Sequence, residues 1–353
     1  MSMMVELRAF FTIRIPASVK FFRYISINVL ILSLMACEAP LVLDQVEQSK
    51  QSFTRRTDIF LAIGSNADDI VVVGSHGLVL VSNNDGESWQ RQELPEWPAL
   101  IDVAACANGN FAALSFEGDV WISEDRGETW QARKLGTEES PQAITCDSGN
   151  RLWVVGAFAT ISHSDDLGSN WSLSTTDEDI ILNNIQFIGD NEAYISGEFG
   201  TLMKTTDRGA NWEMLAPIKE DFYPQDMYFE NDQSGWVIGL AGLVLHTSDG
   251  GQSWHMQETN TLVSLFRLAM SNETLIAVGG EGKIFSLNGD SWRELNHGKS
   301  IRLYLGGIEA LQNDRIIVAG PAGILHILSV NEMVGKDADA SVYIFEPNNN
   351  NKG

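Results

Sequence analysis

Ser82-Asn-Asn-Asp-Gly-Glu-Ser-Trp89 is a phrase that this chain repeats. It returns as Ser123-Glu-Asp-Arg-Gly-Glu-Thr-Trp130, Ser164-Asp-Asp-Leu-Gly-Ser-Asn-Trp171, Thr205-Thr-Asp-Arg-Gly-Ala-Asn-Trp212 and Thr247-Ser-Asp-Gly-Gly-Gln-Ser-Trp254. A shortened copy, Ser286-Leu-Asn-Gly-Asp-Ser-Trp292, closes the series. The tryptophans stand 41, 41, 41, 42 and 38 residues apart. A fixed period of this length marks a solenoid, a propeller or an array, and it outranks any local signal.

Each part of the phrase has a physical job. Gly86, Gly127, Gly168, Gly209 and Gly251 stand where a tight hairpin needs positive φ, which glycine adopts freely. Asn84 in the first copy, then Asp125, Asp166, Asp207 and Asp249, are short acceptors suited to the N–H groups of their own turn. Trp89, Trp130, Trp171, Trp212, Trp254 and Trp292 open the next strand with rings large enough to wedge between neighbouring sheets. The phrase folds hairpins, so its residues are scaffold rather than chemistry.

A second marker counts the units. Gly77, Gly118, Gly200, Gly242, Gly282 and Gly323, with Ala159 standing in once, open the third strand of seven units. The first unit reads DIFLAIG, DIVVVG, LVLVS and SWQRQ from Asp58 onward: four β-rich runs separated by turns, an antiparallel meander. Its third run, Leu78-Val-Leu-Val81, is apolar on both faces, as suits a sheet sandwiched between two others. Seven such units close best into a ring, because closure protects sheet edges that an open array must cap. The expected architecture is therefore all-β, a seven-bladed propeller of four-stranded antiparallel blades over residues 57–346. The seventh unit has lost the Asp phrase, and its fourth strand comes either from residues 341–345 or from the N-terminal tether. Residues 347–353, with four asparagines, are expected to be disordered.

Composition sets further bounds. The 353 residues carry a formal charge of −24, and residues 1–36 hold four bases against one acid, so the remainder is more acidic still. Such a surface repels phosphate backbones and does not adhere to an anionic membrane by itself, which argues against a nucleic-acid partner. Residues 21–36 (FFRYISINVLILSLMA) read as a secretory signal, too short to span a bilayer comfortably. They end in Leu34-Met35-Ala36-Cys37, which resembles a bacterial lipobox. That resemblance implies cleavage before Cys37, lipidation of its thiol, and residues 37–56 as a polar tether. Glu38, in place of an Asp, favours the outer membrane, facing the periplasm.

The Ser/Thr-x-Asp-x-Gly-x-x-Trp phrase looks like the Asp box of sialidase and BNR-repeat propellers. The longer pattern is more telling. Gly235-Trp-Val-Ile-Gly-Leu-Ala-Gly-Leu-Val-Leu-His-Thr-Ser-Asp-Gly-Gly-Gln-Ser-Trp254 resembles the repeat of the photosystem II stability/assembly factor family, as does Tyr194-Ile-Ser-Gly-Glu-Phe-Gly-Thr-Leu-Met-Lys-Thr-Thr-Asp-Arg-Gly-Ala-Asn-Trp212. The resemblance covers about residues 57–330. It implies a seven-bladed propeller without a cofactor that helps to assemble a membrane protein complex. For members outside photosynthesis it points to efflux-type transporters. This chain departs from the photosynthetic members in being Arg-poor and acidic, which speaks against a basic partner-binding patch. We expect a non-catalytic monomeric scaffold.

Other classes fit less well. Sialidase chemistry needs an Arg cluster, a Tyr nucleophile with a Glu base, and an acidic donor. Its landmark has a near match in Ile13-Arg-Ile-Pro16, ahead of the lipobox, and the remaining arginines are scattered. A glycan-acting hydrolase or lyase using carboxylates of the funnel stays open as an alternative, as does a small-ligand protein using the channel. His163 and His246 hold one repeat position in different blades, no Cys/His zinc spacing occurs, and each Asp box offers a single carboxylate, so no metal is expected. Cys106 and Cys146 are equivalent in adjacent units, a separation expected to exceed the roughly 7 Å limit for bridging. They read as two free, buried thiols.

The remaining candidate is a face. Turns between second and third strands present His76, Phe116, Glu117, Phe158, Glu198, Phe199, Leu240 and Glu281, and the links between blades add Trp97, Phe222, Tyr223 and Tyr304. Aromatics and carboxylates on such turns form either an interaction surface or a plug for the funnel. If they form a surface, charge reversal at Glu117, Glu198 and Glu281 weakens partner capture and leaves the melting temperature alone.

Overall fold

The computed structural model describes residues 52–334, apart from 176–177 and 219–221. Two units divide the chain, Met1–Ser52 and Phe53–Gly353, and the propeller belongs to the second. The export signal, the lipobox Cys37, most of the tether, the candidate strand at 341–345 and the tail lie outside the described residues.

Seven antiparallel sheets follow one another in chain order, six with four described strands and the last with three. Within each sheet the strands pair as consecutive neighbours, so each blade is a meander. The first strands are Phe60–Asn66, Leu100–Ala105, Pro141–Cys146, Leu182–Ile188, Pro224–Phe229, Leu265–Ser271 and Gly307–Leu311. Each packs beside the first strand of the next blade, and the seventh returns to the first, closing the ring. Alternating burial fails where the sequence is apolar on both sides: Leu78–Ser82 is buried throughout, as are Asp69–Gly74 and Phe111–Ser115. Fourth strands such as Gln90–Glu93 and Gln131–Lys134 are polar and mostly exposed, which blunts the outer edges.

The innermost strands are irregular in a regular way. In blades 1 to 6 a bulge skips one residue at the entry of the first strand, as between Leu100 and Asp102 or between Pro224 and Asp226. A bulge re-aims the side chain that follows it.

Among the described residues the last strand of blade 7 is Leu325–Ser329, and a helical turn over residues 330–334 follows. Residues 53–58 run past its edge. The Gly323 N–H donates to the Asp58 carbonyl at 3.0 Å, as the Gly77 N–H donates to Pro98 in blade 1. A Cβ on Gly323 would meet the Arg55 backbone, and one on Gly77 would meet that of Leu94. Arg55 thus holds the place that Leu94 holds just after a fourth strand.

One expectation is overturned. Cys106 and Cys146 form a disulfide, with Cα atoms 5.3 Å apart. The expected separation suits the outer part of the blades. Both cysteines, however, sit at the ends of first strands, where neighbouring blades converge on the axis.

Candidate functional site

The Asp boxes hold themselves together. In each of five copies the Ser or Thr hydroxyl accepts the glycine N–H four residues on, at 2.7–3.0 Å. The same hydroxyl donates to the carboxylate, or to the Asn84 amide oxygen, at 2.8–2.9 Å. That oxygen also takes the backbone N–H before the tryptophan, at 2.8–2.9 Å. These bonds hold Asp166 and Asp249 down at about 2, through Asn170 and Ser253 first, and lower Asp207 and Asp125 as well. The box glycines then press on the preceding blade. Gly127 faces Val81 and Val71, Gly251 faces Leu202, and Gly209, at φ +79, faces the Trp153 ring. Box and first hairpin turn share a face, joined by Asp85 N–H to Asp68 O (2.8 Å) and Arg208 N–H to Asn191 O (2.9 Å). On that rim Arg126 of blade 2 pairs with Asp69 of blade 1.

The opposite rim differs. In blades 1 to 4 and 6 the first residue of the second-to-third turn is tied to the link before its blade, as in Phe116 N–H to Ala99 O and Ala157 N–H to Ser140 O, both 2.9 Å. At the tip, His76, Phe158, Phe199, Ala241, Glu281 and Ala322 all lie at φ between 53° and 60°. Each non-glycine residue held there costs on the order of 1 kcal/mol. These turns, at the tip or one residue before it, hold large side chains out. Phe116, Phe158, Phe199 and Leu240, on four successive blades, are 56%, 47%, 60% and 53% exposed, and Trp97 on the first link is 70% exposed. None of these side chains is buried in a plug.

Three residues do other work than the sequence suggests. Phe222 is 5% exposed and packs into the blade 5 core beneath Gly239, so it leaves the candidate face. Glu117 accepts the Ala99 N–H at 3.2 Å, and Glu198 accepts the Ile181 N–H at 3.1 Å and the Tyr223 hydroxyl. Burial, and next this bond, pushes Tyr223 up to about 12, so it stays a donor. These two carboxylates cap the links, and reversing their charge would cost structure as well as any partner. Glu281 is exposed at its tip.

The axis holds a second candidate that sequence reasoning missed. A cavity of about 180 Å³ is lined by Asp102, Asp226, Arg267, Gln142, Asn183 and Asn184 among others. Ala62, Asp102, Ala143, Asn184, Asp226, Arg267 and Gly307 hold the corresponding place in blades 1 to 7, so the 41-residue period was the signal that could have found them. Asp226 accepts Met227 N–H (2.9 Å) on one oxygen and Leu268 N–H of the next blade (2.7 Å) on the other. Asp102 does the same with Val103 (2.9 Å) and Ile144 (2.8 Å). Each carboxylate ties its blade to the following one. Burial pushes Asp226 up to about 6 and raises Asp102, with Arg267 opposing in both cases. Arg267 donates to the Phe266 carbonyl at 3.0 Å, and no carboxylate among the described residues stands in an ion pair with it.

No curated protein sequence matches the chain. A family model described as photosynthesis system II assembly factor YCF48 matches residues 126–220. Among solved structures, YCF48 bound to D1 peptide overlays with a TM-score of 0.66 at 18% identity, covering 78% of this chain and 94% of that one. YCF48 from Cyanidioschyzon merolae gives 0.64 at 16%, with 78% and 97% covered. A catalytically inactive virginiamycin B lyase from Staphylococcus aureus with quinupristin gives 0.68 at 13%, with 78% and 96% covered. At these identities the likeness is one of fold, shared by an assembly factor and an enzyme. Residues 126–220, which hold two complete boxes and the strands between them, match the YCF48 assembly-factor model, and the seven-bladed propeller is similar in fold to the solved YCF48 structures.

Proposed function

We propose that this chain is a non-catalytic propeller that captures a segment of a membrane protein on its second-to-third turn face and assists assembly or function of that protein's complex. The observation that carries the reading is the row of exposed aromatic and aliphatic side chains over four successive blades, Phe158 and Phe199 on left-handed tips and Phe116 and Leu240 at the first residue of their turns. Exposed apolar groups gathered on one rim of a rigid ring suit a peptide surface. The YCF48 structure with a D1 peptide supports it by analogy. Asp102 and Asp226 support the absence of catalysis, because their oxygens are engaged by backbone N–H groups. The strong acidity of the chain favours a partner segment that carries cations.

The same proposal places the protein in the cell envelope, exported, lipidated at Cys37 and facing the periplasm, with an efflux-type transporter as the partner class. Its test is a triple variant, Trp97→Ala, Phe158→Ala and Phe199→Ala, compared with the unaltered protein in crosslinking and capture from detergent-solubilised envelope. A membrane protein crosslinked by the unaltered chain and lost from the variant, at unchanged melting temperature, is the expected result. Equal crosslinking by both would refute the reading. Cys37→Ser should move the protein from the membrane to the soluble fraction.

A further inference from the structure

Blade-to-blade grooves on the outer side of this ring are filled by one side chain each, three residues after the box tryptophan. In blade 1 that residue is Gln92, whose amide donates to the Gly127 carbonyl of the next box at 2.9 Å. In blade 2 it is Arg133, whose stem lies on Gly168 and whose Nη1 donates to the Leu167 carbonyl at 3.0 Å and to Ser169 Oγ. Leu215 packs on Gly251 in blade 4, the Gln257 oxygen accepts Trp292 Nε1 at 3.0 Å in blade 5, and Leu295 is buried in blade 6. Phe53, two residues before Arg55, stacks on Trp89 beside blade 7.

Blade 3 breaks the rule. Its residue at this position is Ser174, paired with Ile161 as Arg133 is paired with Val120. A serine cannot reach the next box, and the groove stays open as a cavity of about 310 Å³. Trp153, Trp212, Met203, Ile161, His163 and Leu173 wall it, and the box turn at Gly209 and Ala210 closes one end.

We propose that this slot between blades 3 and 4 is a binding site for an arginine side chain of a partner, which would lie where Arg133 lies one blade earlier. The chemistry follows from the filled grooves. An apolar stem fits between the aromatic walls, and a guanidinium at its tip meets the carbonyl oxygens of a box turn. The indole of Trp212 adds a face for the cation. Burial, then Arg151, keeps the wall residue His163 below its usual range, so it is uncharged at neutral pH. Of the fixed charges, Arg151 is paired with Asp165 at 2.7 Å, lies 5.5 Å from the Trp153 ring centroid and already donates to the Arg208 carbonyl at 3.3 Å, so an incoming guanidinium shares that oxygen, and Asp207 of the same box is an anion. The slot reaches Ala159 beside the Phe158 tip, but Trp97, Phe158 and Phe199 do not line it, so either site can fail without the other.

The test uses the full chain and three small probes: the acetyl amides of arginine, lysine and norleucine. Tryptophan fluorescence and NMR shifts are followed during titration. Saturable binding of the arginine probe, at least about tenfold tighter than norleucine, is expected. Ser174→Arg should fill the slot from within, raise the melting temperature and weaken the arginine probe by about tenfold or more. Ser174→Gln, patterned on Gln92, serves if the arginine variant does not fold, and Ser174→Ala should bind as the unaltered protein does. No saturable binding, equal binding of norleucine, or full affinity in the filled variants would overturn the proposal.

Discussion

The two rims of this ring are built from different turns, seven residues long in the five full boxes on one and three to five residues long on the other, and they spend their polar groups in opposite ways. At the box rim the leading Ser or Thr hydroxyl of each phrase bonds the Asp carboxylate, or the Asn84 amide, of its own turn, and the glycines press on the neighbouring blade. At the other rim two carboxylates cap links, while aromatic side chains stand in solvent on strained tips. Repetition and self-satisfaction mark structure; departure from the repeat, with exposed apolar groups, marks a surface kept for something else.

If that contrast is right, damage to the box side costs stability and leaves capture alone. The largest effect is expected at the disulfide. It closes a sequence separation of 40 residues, so Cys106→Ala with Cys146→Ala should lose about 4 kcal/mol in denaturant unfolding by the chain-entropy estimate. Next comes Gly209→Ala. Its Cβ would stand 2.1 Å from the Trp153 ring at φ +79, and overpacking with backbone strain should cost about 3 kcal/mol. Thr247→Val leaves the buried Gly251 N–H without its acceptor and should cost about 2 kcal/mol. A box variant that folds normally but loses its partner would break the contrast.

Much of this architecture was legible because it repeats. Period, strand count and box glycines all follow from turns that need the same residues each time. What escaped were single residues at unrepeated positions. Asp102, Asp226 and Arg267 share a place in the blade but not a residue type, so no phrase announces them. Phe222 reads as a link aromatic until the blade 5 core is seen to close over it. The cysteine pair was misjudged because equivalent atoms in adjacent blades lie at different distances near the axis and near the edge, and the sequence gives no radius.

Acid and base sharpen the contrast further. Burial lifts Asp226 from 3.8 to about 6 and Glu309, bonded by Ser65, from 4.5 to about 7. A raised folded pKa means that the native state holds the proton more tightly. These groups therefore favour folding most below their unfolded values, and that contribution is lost as pH rises through about 6 and 7. The boxes do the reverse: Asp166 and Asp249 contribute above 3.8, and the contribution is lost as pH falls through about 2. Glu309→Gln should flatten the fall in stability between pH 4.5 and 7 and leave the acid limb unchanged, read from chemical denaturation at stepped pH. An unchanged slope would remove Glu309 from the account.

The smallest stability effect is the most informative. Phe199 is 60% exposed at φ 58, so Phe199→Ala removes little buried area and should move stability by less than about 0.5 kcal/mol. Phe199→Gly should raise it by about 1 kcal/mol or less, because glycine relieves the left-handed strain at the cost of backbone entropy. A tip that only closes a turn would gain from glycine and lose nothing else. A tip that serves a partner gains the same stability and loses capture, with alanine and glycine equal in that loss. Glu281→Lys, at the exposed tip of blade 6 among the carboxylates considered, completes the set, because charge reversal there leaves the link caps of Glu117 and Glu198 in place. Full capture by all three variants would make the strained tips a property of the fold and move the search for the partner surface elsewhere on the ring.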